Sequence, residues 1–309
     1  MAALPRATIS AALLALFALA PAAWAEEAVT TGGEPTALGG TLKKAHDSGT
    51  VTIGYREASF PFSYVANNGP KPIGYAIDLC LGVVEEMKRE LDGQALDVAY
   101  EKVTSETRIP ETVAGRIDLE CGSTTANKDR EKEVAFSPIT YVAGTKLMVK
   151  SASGLRSYRD LAGKTVVATA GTTNEKALRA IAERQKIDLR IVTAPDHEQS
   201  YAMVASGQAD AFATDDVLLY GLIARHKADA DLIVVGDFLT YEPYGLMFRK
   251  DDPQMARAVA RAFAKMAEDR DLIEAYHRWF ERPTPTGEQI ALPISPQLQE
   301  VFRNIGLAD

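Results

Sequence analysis

The sequence predicts an α/β protein of two similar lobes, joined by two chain crossings and separated by a ligand cleft. Apolar residues alternate and then recur every three or four positions, which gives a β-α-β-α-β order over residues 51–121. The same order recurs over residues 163–211. Two later helices, predicted at residues 253–268 and 272–280, exceed what the second lobe needs. The second lobe is therefore predicted to be inserted into the first, and two crossings make a hinge.

The first lobe is predicted from five segments. Residues 51–55 alternate as a strand, and residues 77–91 place apolar side chains on one helix face. A strand at residues 96–100, a short helix at 108–114 and a strand at 117–121 follow. This order predicts a sheet whose strands are joined by helical crossovers.

The second lobe loosely repeats this order of strands and helices. In both lobes a glycine ends a helix and an aspartate lies in the strand that follows, first at Gly115 and Asp118, then at Gly207 and Asp210. The predicted elements of this lobe are strands within residues 163–167 and 207–211, strands at 189–192 and 232–235, and helices from 174, over 197–205 and over 217–225. A further strand is predicted at residues 244–248, after the chain returns to the first lobe.

The crossings are predicted near residues 140–146 and 241–245. Lobe one should therefore span residues 41–140 and 244–309, the latter including a C-terminal tail, and lobe two residues 141–243.

The N-terminus has the pattern of an export signal. Arg6 precedes an apolar run at residues 9–20, and the small-x-small site Ala23-Trp24-Ala25 follows. A membrane anchor is the alternative, but the run is short for a bilayer. We expect cleavage after Ala25 and a flexible Gly/Thr/Ala-rich leader at residues 26–40.

Composition narrows the class of protein. A length of 309 residues suits two domains, and the net charge of -8 without a basic tract argues against nucleic acid as a partner. The two cysteines, Cys80 and Cys121, suggest a disulfide if the chain is exported; two free buried thiols are the alternative. The four histidines are scattered, so no metal or other cofactor is expected.

Polar residues cluster at the ends of the predicted strands, where arginines and hydroxyls are mixed with one carboxylate. An ammonium needs a carboxylate and hydroxyls, while two carboxylates need guanidinium groups. The mixture therefore indicates an acidic amino acid that is held and not transformed. The residues are Arg56, Ser105, Arg108, Ser123, Thr125, Thr172, Thr173 and Asp215.

The chain resembles the periplasmic solute-binding proteins of polar amino-acid ABC importers, and among them the glutamate/aspartate-binding group. The resemblance covers about residues 41–302 and implies the two-lobed type II periplasmic-binding-protein fold. No single phrase is decisive, but their order and spacing are specific. The phrases are residues 54–64 (GYREASFPFSY), 104–110 (TSETRIP), 120–125 (ECGSTT), 129–131 with 136–137, 171–173 (GTT), 196–197 (DH) and 214–216 (TDD).

The resemblance implies a role for each site residue. Asp215 would hold the ligand ammonium, helped by the hydroxyls of Ser123 and Thr125. Arg130 and the helix start at Thr173 would bind the α-carboxylate, since helix N-termini attract anions. A second basic cluster would bind the side-chain carboxylate, and its members are Arg56, Ser105, Arg108 and His197.

Several of these residues have ordinary structural alternatives. Arg130 has charged neighbours on both sides and is compatible with a solvated helix face. Ser105 and His197 are both compatible with helix caps. Of the adjacent acids, the resemblance assigns Asp215 to the ligand and Asp216 to the cap.

The function that follows is binding. We expect an exported, monomeric receptor that closes around L-glutamate or L-aspartate and delivers it to an inner-membrane ABC permease. The alternative is a periplasmic enzyme on the same fold, similar to a cyclohexadienyl or arogenate dehydratase. The sequence leaves open glutamate, aspartate or their amides.

Overall fold

The computed structural model describes residues 37–66 and 69–307. The strands in this part of the chain are β1 Thr50–Tyr55, β2 Ala58–Ser59, β3 Ser63–Val65, β4 Pro72–Ile73, β5 Asp97–Lys102, β6 Leu119–Cys121, β7 Val134–Phe136, β8 Tyr141–Ala143, β9 Thr145–Lys150, β10 Thr165–Thr169, β11 Arg190–Ala194, β12 Ala211–Asp215, β13 Leu232–Val235, β14 Glu242–Tyr244 and β15 Met247–Arg249. The helices are α1 Gly40–Ser48, α2 Tyr75–Glu90, α3 Arg108–Val113, α4 Thr173–Gln185, α5 His197–Ala205, α6 Asp216–His226, α7 Pro253–Glu268, α8 Asp271–Tyr276 and α9 Pro296–Asn304.

Two five-stranded sheets organise these elements. Sheet 1 has the order β5-β1-β6-β15-β7, and sheet 2 has the order β11-β10-β12-β9-β13. In sheet 1 the strands β5, β1 and β6 are parallel, and β15 runs antiparallel to both of its neighbours. Sheet 2 repeats this plan, with β11, β10 and β12 parallel and β9 antiparallel to its neighbours. The sequence repeat is therefore also a repeat of topology.

The chain crosses between the sheets twice. It leaves sheet 1 after β7 and enters sheet 2 through β8; it leaves sheet 2 after β13 and returns through β14. The two crossing strands pair antiparallel, with Ala143 opposite Glu242 and Tyr141 opposite Tyr244. The predicted α/β fold with two hinge crossings is thus confirmed, while the residue limits of the lobes stay a prediction.

Each sheet has its own core. Helices α2 and α7 pack against each other over sheet 1, and Val51, Ile53 and Leu119 are fully buried there. On sheet 2, Val166 and Val167 are both fully buried but belong to different clusters, one on each face. Burial on both faces is typical of parallel strands covered by helical crossovers.

A disulfide joins Cys80 of α2 to Cys121 at the end of β6, with a Cα–Cα distance of 6.2 Å. The predicted bridge is therefore confirmed, and the alternative of free thiols is wrong. Its two residues are 41 positions apart. The chain-entropy relation gives about 4 kcal/mol of stabilisation for a loop of this size. The bridge ties α2 to sheet 1 at Cys121, which lies two residues before Ser123.

Some predicted elements are wrong in detail. The single strand expected at residues 244–248 is two strands in different sheets, β14 and β15, because the crossing ends between them. The helix expected at residues 272–280 ends at Tyr276 and continues as a π-helical turn, His277–Glu281. Helix α1 begins at Gly40, inside the expected leader.

Other elements were missed, namely α1, β2, β3, β4, β7, β8, β9 and α9. The export signal and residues 26–36 of the leader lie outside the described residues. Within residues 37–66 and 69–307, no helix has the length and hydropathy needed to span a bilayer.

Candidate ligand-binding site

A small closed cavity lies where strands from both sheets end. Its volume is about 10 Å³, which is room for about one water molecule. In open α/β sheets, ligands bind outside the carboxyl ends of strands, and this cavity has that position for both sheets. The lining residues are Ser105, Arg108, Ser123, Thr125, Thr172, Thr173, Asn174, His197, Asp215 and Leu218.

Seven of the nine predicted ligand residues line this cavity. The other two, Arg56 and Arg130, are buried but do not line it. The Arg130 guanidinium donates through Nη1 to the carbonyl of Thr125 at 2.8 Å, and Arg130 is only 9% exposed. A solvated helix face is therefore the wrong interpretation of Arg130.

The sheet 1 wall is rich in buried positive charge. Arg56 and Arg108 are each 2% exposed. Arg108 donates through Nη1 to the Ser123 carbonyl at 3.2 Å and to the Thr124 hydroxyl. Within the described part of the chain, Arg56 Nη1 and Arg108 Nε have no hydrogen-bond partner. Because a buried donor without a partner is costly, this wall is built to meet an anion.

Electrostatics strengthen this conclusion. Burial, followed by the charge of Arg108, lowers the pKa of Arg56 to about 9. The same two causes, in the same order, lower the pKa of Arg130 to about 9. Burial also lowers the pKa of Arg108. An added carboxylate near these groups would relieve their mutual repulsion and favour their charged forms.

One carboxylate of the protein already faces the arginines. Glu120 is fully buried on β6 and opposes the lowering of all three arginine pKa values. Its Oε2 accepts the Thr124 hydroxyl at 2.6 Å. A Cβ at Gly122 would lie 2.6 Å from both Arg56 Cγ and Glu120 Oε1, so only glycine leaves room for this pair. On sheet 1 itself, Glu120 is thus the carboxylate that partly offsets the three guanidinium groups.

Two serine hydroxyls on this wall are buried and have no partner among the described residues. They are Ser105 Oγ and Ser123 Oγ, and both residues line the cavity. Ser105 is not a helix cap, because the residue at the N-cap of α3 is Thr107. Both hydroxyls are therefore available to a ligand.

The sheet 2 wall begins with a helix start. Helix α4 starts at Thr173, and the Thr172 hydroxyl caps it by accepting the N–H of Glu175 at 3.1 Å. The expected helix N-terminus at the GTT phrase is thus present. The next residue, Asn174, is buried and was missed as a site residue.

His197 is the first residue of α5, and the cap is the Asp196 side chain, so His197 is not the cap. Its Nδ1 lies 2.8 Å from Thr169 Oγ1, which is 2.9 Å from Ser200 Oγ. Burial, and then Arg56 and Arg108, lower the pKa of His197 well below its usual value. The imidazole is therefore neutral at pH 7 in the ligand-free protein.

Asp215 ends β12 and is the only acid that lines the cavity among the described residues. Its Oδ1 accepts from Asn174 Nδ2 at 2.6 Å, and its Oδ2 accepts from the Tyr244 hydroxyl. Burial, and then the charge of Glu242, raise its pKa to about 7. A cation next to Asp215 would reverse this rise.

Asp216 does not cap α6 as expected. It is the first residue of the helix, and its carboxylate accepts the N–H of Gly144 at 3.3 Å. The residue at the N-cap is Asp215, whose side chain makes no capping bond. The assignment of the helix cap to Asp216 is therefore wrong.

Besides Asn174, sequence reasoning missed three residues that support the site, Glu120, Glu242 and Tyr244. A signal existed for Glu120, because its charge lies between the apolar residues Leu119 and Cys121 of a predicted strand. Glu242 and Tyr244 lie within a predicted crossing, which gave no reason to expect them beside the ligand.

The fold and the site together define a class: a two-lobed binding protein with a closed polar cavity between two sheets. The family of bacterial extracellular solute-binding proteins, family 3, matches residues 51–282. The chain belongs to this family.

Known proteins support this assignment. The chain is 43% identical over 266 residues to an L-glutamate/L-aspartate-binding protein of Pseudomonas aeruginosa, covering 86% of this chain and 88% of that protein. It is 36% identical to a glutamate/aspartate import solute-binding protein of Escherichia coli, covering 94% and 95%. A solved ancestral amino acid-binding protein, described as a precursor of cyclohexadienyl dehydratase, is 29% identical with a TM-score of 0.66, covering 78% and 99%.

Proposed function

We propose that this protein is the extracytoplasmic receptor of an ABC importer for acidic amino acids. It binds L-glutamate or L-aspartate in the periplasm and delivers it to an inner-membrane permease, after export and cleavage of the signal following Ala25. The observation that carries the proposal is the contrast across the cavity, with Arg108 on one wall, Arg56 and Arg130 buried near it, and Asp215 on the other wall. The names of the two bacterial relatives support the same ligand class.

The proposed pose follows the charges. The ligand ammonium meets Asp215 with the hydroxyls of Ser123 and Thr125. The α-carboxylate meets Arg130 and the start of α4 at Thr173. The side-chain carboxylate meets the remaining polar residues of the two walls, which are Arg56, Ser105, Arg108 and His197.

Motion is required by the size of the cavity. A volume of about 10 Å³ does not admit an amino acid, so the walls must separate before a ligand enters. The paired crossing strands β8 and β14 are where such a movement would be absorbed. We propose that residues 41–140 with 244–309 and residues 141–243 are the two bodies that move.

A dehydratase is less well supported. The relatives that match most of the chain are named as solute-binding proteins. The solved precursor of cyclohexadienyl dehydratase is itself described as an amino acid-binding protein.

Calorimetry of ligand-stripped mature protein tests the proposal. Glutamate or aspartate should bind more tightly than the corresponding amide by about 2 kcal/mol or more, since the arginines make charge-assisted hydrogen bonds only to a carboxylate. Equal affinity for glutamate and glutamine would contradict an acidic ligand.

A variant pair sharpens this test. Arg56→Met should narrow the difference in affinity between the acid and the amide. It leaves no partner of Nη1 unpaired, because Nη1 has no hydrogen-bond partner in the described part of the chain. Arg159→Met is the matched control, because Arg159 is exposed in a turn of the second lobe. The control should leave the preference unchanged.

A further inference from the structure

Glu242 reaches from the second crossing strand into the site. It is 3% exposed, and its Oε2 accepts the Thr125 hydroxyl at 2.7 Å and the Thr173 hydroxyl at 2.8 Å. Thr125 follows β6 of sheet 1, and Thr173 begins α4 of sheet 2. One carboxylate oxygen therefore holds a hydroxyl from each wall of the cavity.

These two bonds decide what the hydroxyls offer to a ligand. A threonine hydroxyl has one proton and two lone pairs. When its proton is donated to Glu242, the oxygen can only accept a further hydrogen bond. The two oxygens lie 3.4 Å apart, so they form a pair of adjacent acceptors. Such a pair repels a carboxylate and suits an ammonium, which has only donors.

We propose, building on the acidic amino-acid receptor proposed above, that Glu242 is a positioning residue that makes Thr125 and Thr173 acceptors for the α-ammonium of the ligand. The backbone N–H of Thr173 takes no part in the bond to Glu242, so it can still donate to the α-carboxylate. The proposal gives Glu242 a role that the proposed pose does not contain, because it orients the hydroxyls that accept from the ammonium.

The surrounding charges agree with this assignment. The carboxylate of Glu242 adds to the negative charge near Asp215, and it is the second cause, after burial, of the raised pKa of Asp215. Asp215 and Glu242 therefore make this end of the cavity negative, in contrast to the arginines of the sheet 1 wall. An amino acid with an acidic side chain carries the complementary distribution of charge.

A different role must be distinguished. If Glu242 served only to hold the two walls together, its removal would weaken every ligand by the same factor. If it positions the acceptors, its removal weakens amino acids selectively. The informative quantity is therefore the ratio of affinities for an amino acid and its analogue without the amino group.

The experiment measures this ratio by calorimetry in the mature protein, with glutamate against glutarate and aspartate against succinate. In Glu242→Ala the affinity for the amino acid should fall about 10- to 100-fold, while that for the dicarboxylate changes by less than about threefold. Glu242→Gln, which keeps an acceptor oxygen, should restore part of the amino acid affinity. Glu86→Ala, which removes a buried glutamate of α2 paired with Arg89 and Arg261, should change neither affinity.

Two outcomes overturn the proposal. One is an equal loss for amino acid and dicarboxylate in Glu242→Ala, and the other is an unchanged affinity for both. In a Thr125→Val, Thr173→Val background, the added loss from Glu242→Ala should be less than about twofold, because the acceptors are already gone. If the wild type binds neither glutamate nor aspartate, the proposed function fails. The same ratio, taken for the amino acid that does bind, still tests Glu242.

Discussion

Sheet 1 and sheet 2 share one plan, even in a detail of side-chain bonding. Asp118, just before β6, accepts the N–H of Thr52 at 2.8 Å, and Asp210, just before β12, accepts the N–H of Thr165 at 2.8 Å. The walls beyond these strands differ sharply. Sheet 1 presents three buried arginines and Glu120, whereas sheet 2 presents Asp215, a neutral His197 and uncharged donors. The shared plan places the ends of the strands, and the residues at or beyond those ends set the chemistry.

The disulfide is the largest asymmetry between the lobes. The described part of sheet 2 has no counterpart to the Cys80–Cys121 bridge. We expect Cys80→Ala, Cys121→Ala to lower the free energy of unfolding by about 4 kcal/mol, with ligand binding retained. Thermal unfolding with and without ligand measures this change. An unchanged melting temperature would mean that the loop is restrained by other contacts.

Asp215 tests the acidic wall alone. Asp215→Asn keeps the shape but removes the charge, and it should cost about 3 kcal/mol of binding at pH 8, as expected for one partner of a buried ion pair. Below about pH 7 the ratio of wild-type to variant affinity should fall tenfold for each pH unit, because the wild-type carboxyl must release its proton to bind the ammonium. Calorimetry from pH 5 to pH 8 checks this.

Comparing wild type with variant isolates Asp215, because other titrating groups contribute to both. The charged groups that interact with Asp215 are Glu242, Asp216, Arg108 and Arg130, while Tyr244 and Asn174 donate to it. The stability of the ligand-free protein depends on pH in the opposite direction. Because the pKa of Asp215 is raised from 3.8 to about 7, its contribution to the free energy of unfolding falls as pH rises between these two values. A loss of binding that is the same at pH 5 and pH 8 would contradict the ammonium assignment.

Gly221 tests how closely the lobes approach each other. A Cβ there would lie 3.0 Å from the carbonyl oxygen and from Cδ1 of Phe60, which precedes β3. Gly221→Ala should raise helix propensity in α6 by about 1 kcal/mol, yet weaken ligand binding severalfold by hindering closure. Gly82→Ala is the matched control. Gly82 lies in α2, and a Cβ there would meet Met266 of α7, which packs against α2 within the first lobe. A similar effect on affinity from both variants would argue against hindered closure.

The sequence predicts those elements of the fold that carry strong periodicity. Helix α7 has the expected limits because its buried apolar residues Met255, Val259, Phe263 and Met266 recur every three or four positions. Helix α5 and strand β13 also have the expected limits. The short strands β2, β3 and β4 have no such signal, since two or three residues are too few to show a period. The break between β14 and β15 was missed because tertiary pairing, and not local propensity, assigns the two strands to different sheets.

The candidate site follows the same division. The predicted arginines, hydroxyls and Asp215 could be found because they lie directly after strands or in the phrases that carry the resemblance. Glu242 and Tyr244 could not, since they approach Asp215 and Thr173 only when the chain returns from sheet 2. Side chains that act across the fold leave no local pattern.

The place of β15 has a consequence for the order in which the protein is made. This strand lies between β6 and β7 in sheet 1, although it follows all of sheet 2 in the chain. During synthesis, sheet 2 therefore has all its strands once residue 235 has emerged, while sheet 1 still lacks an interior strand. The later lobe in the sequence is the first that can be completed, and the N-terminal lobe must wait, with β6 and β7 unjoined, until residue 249.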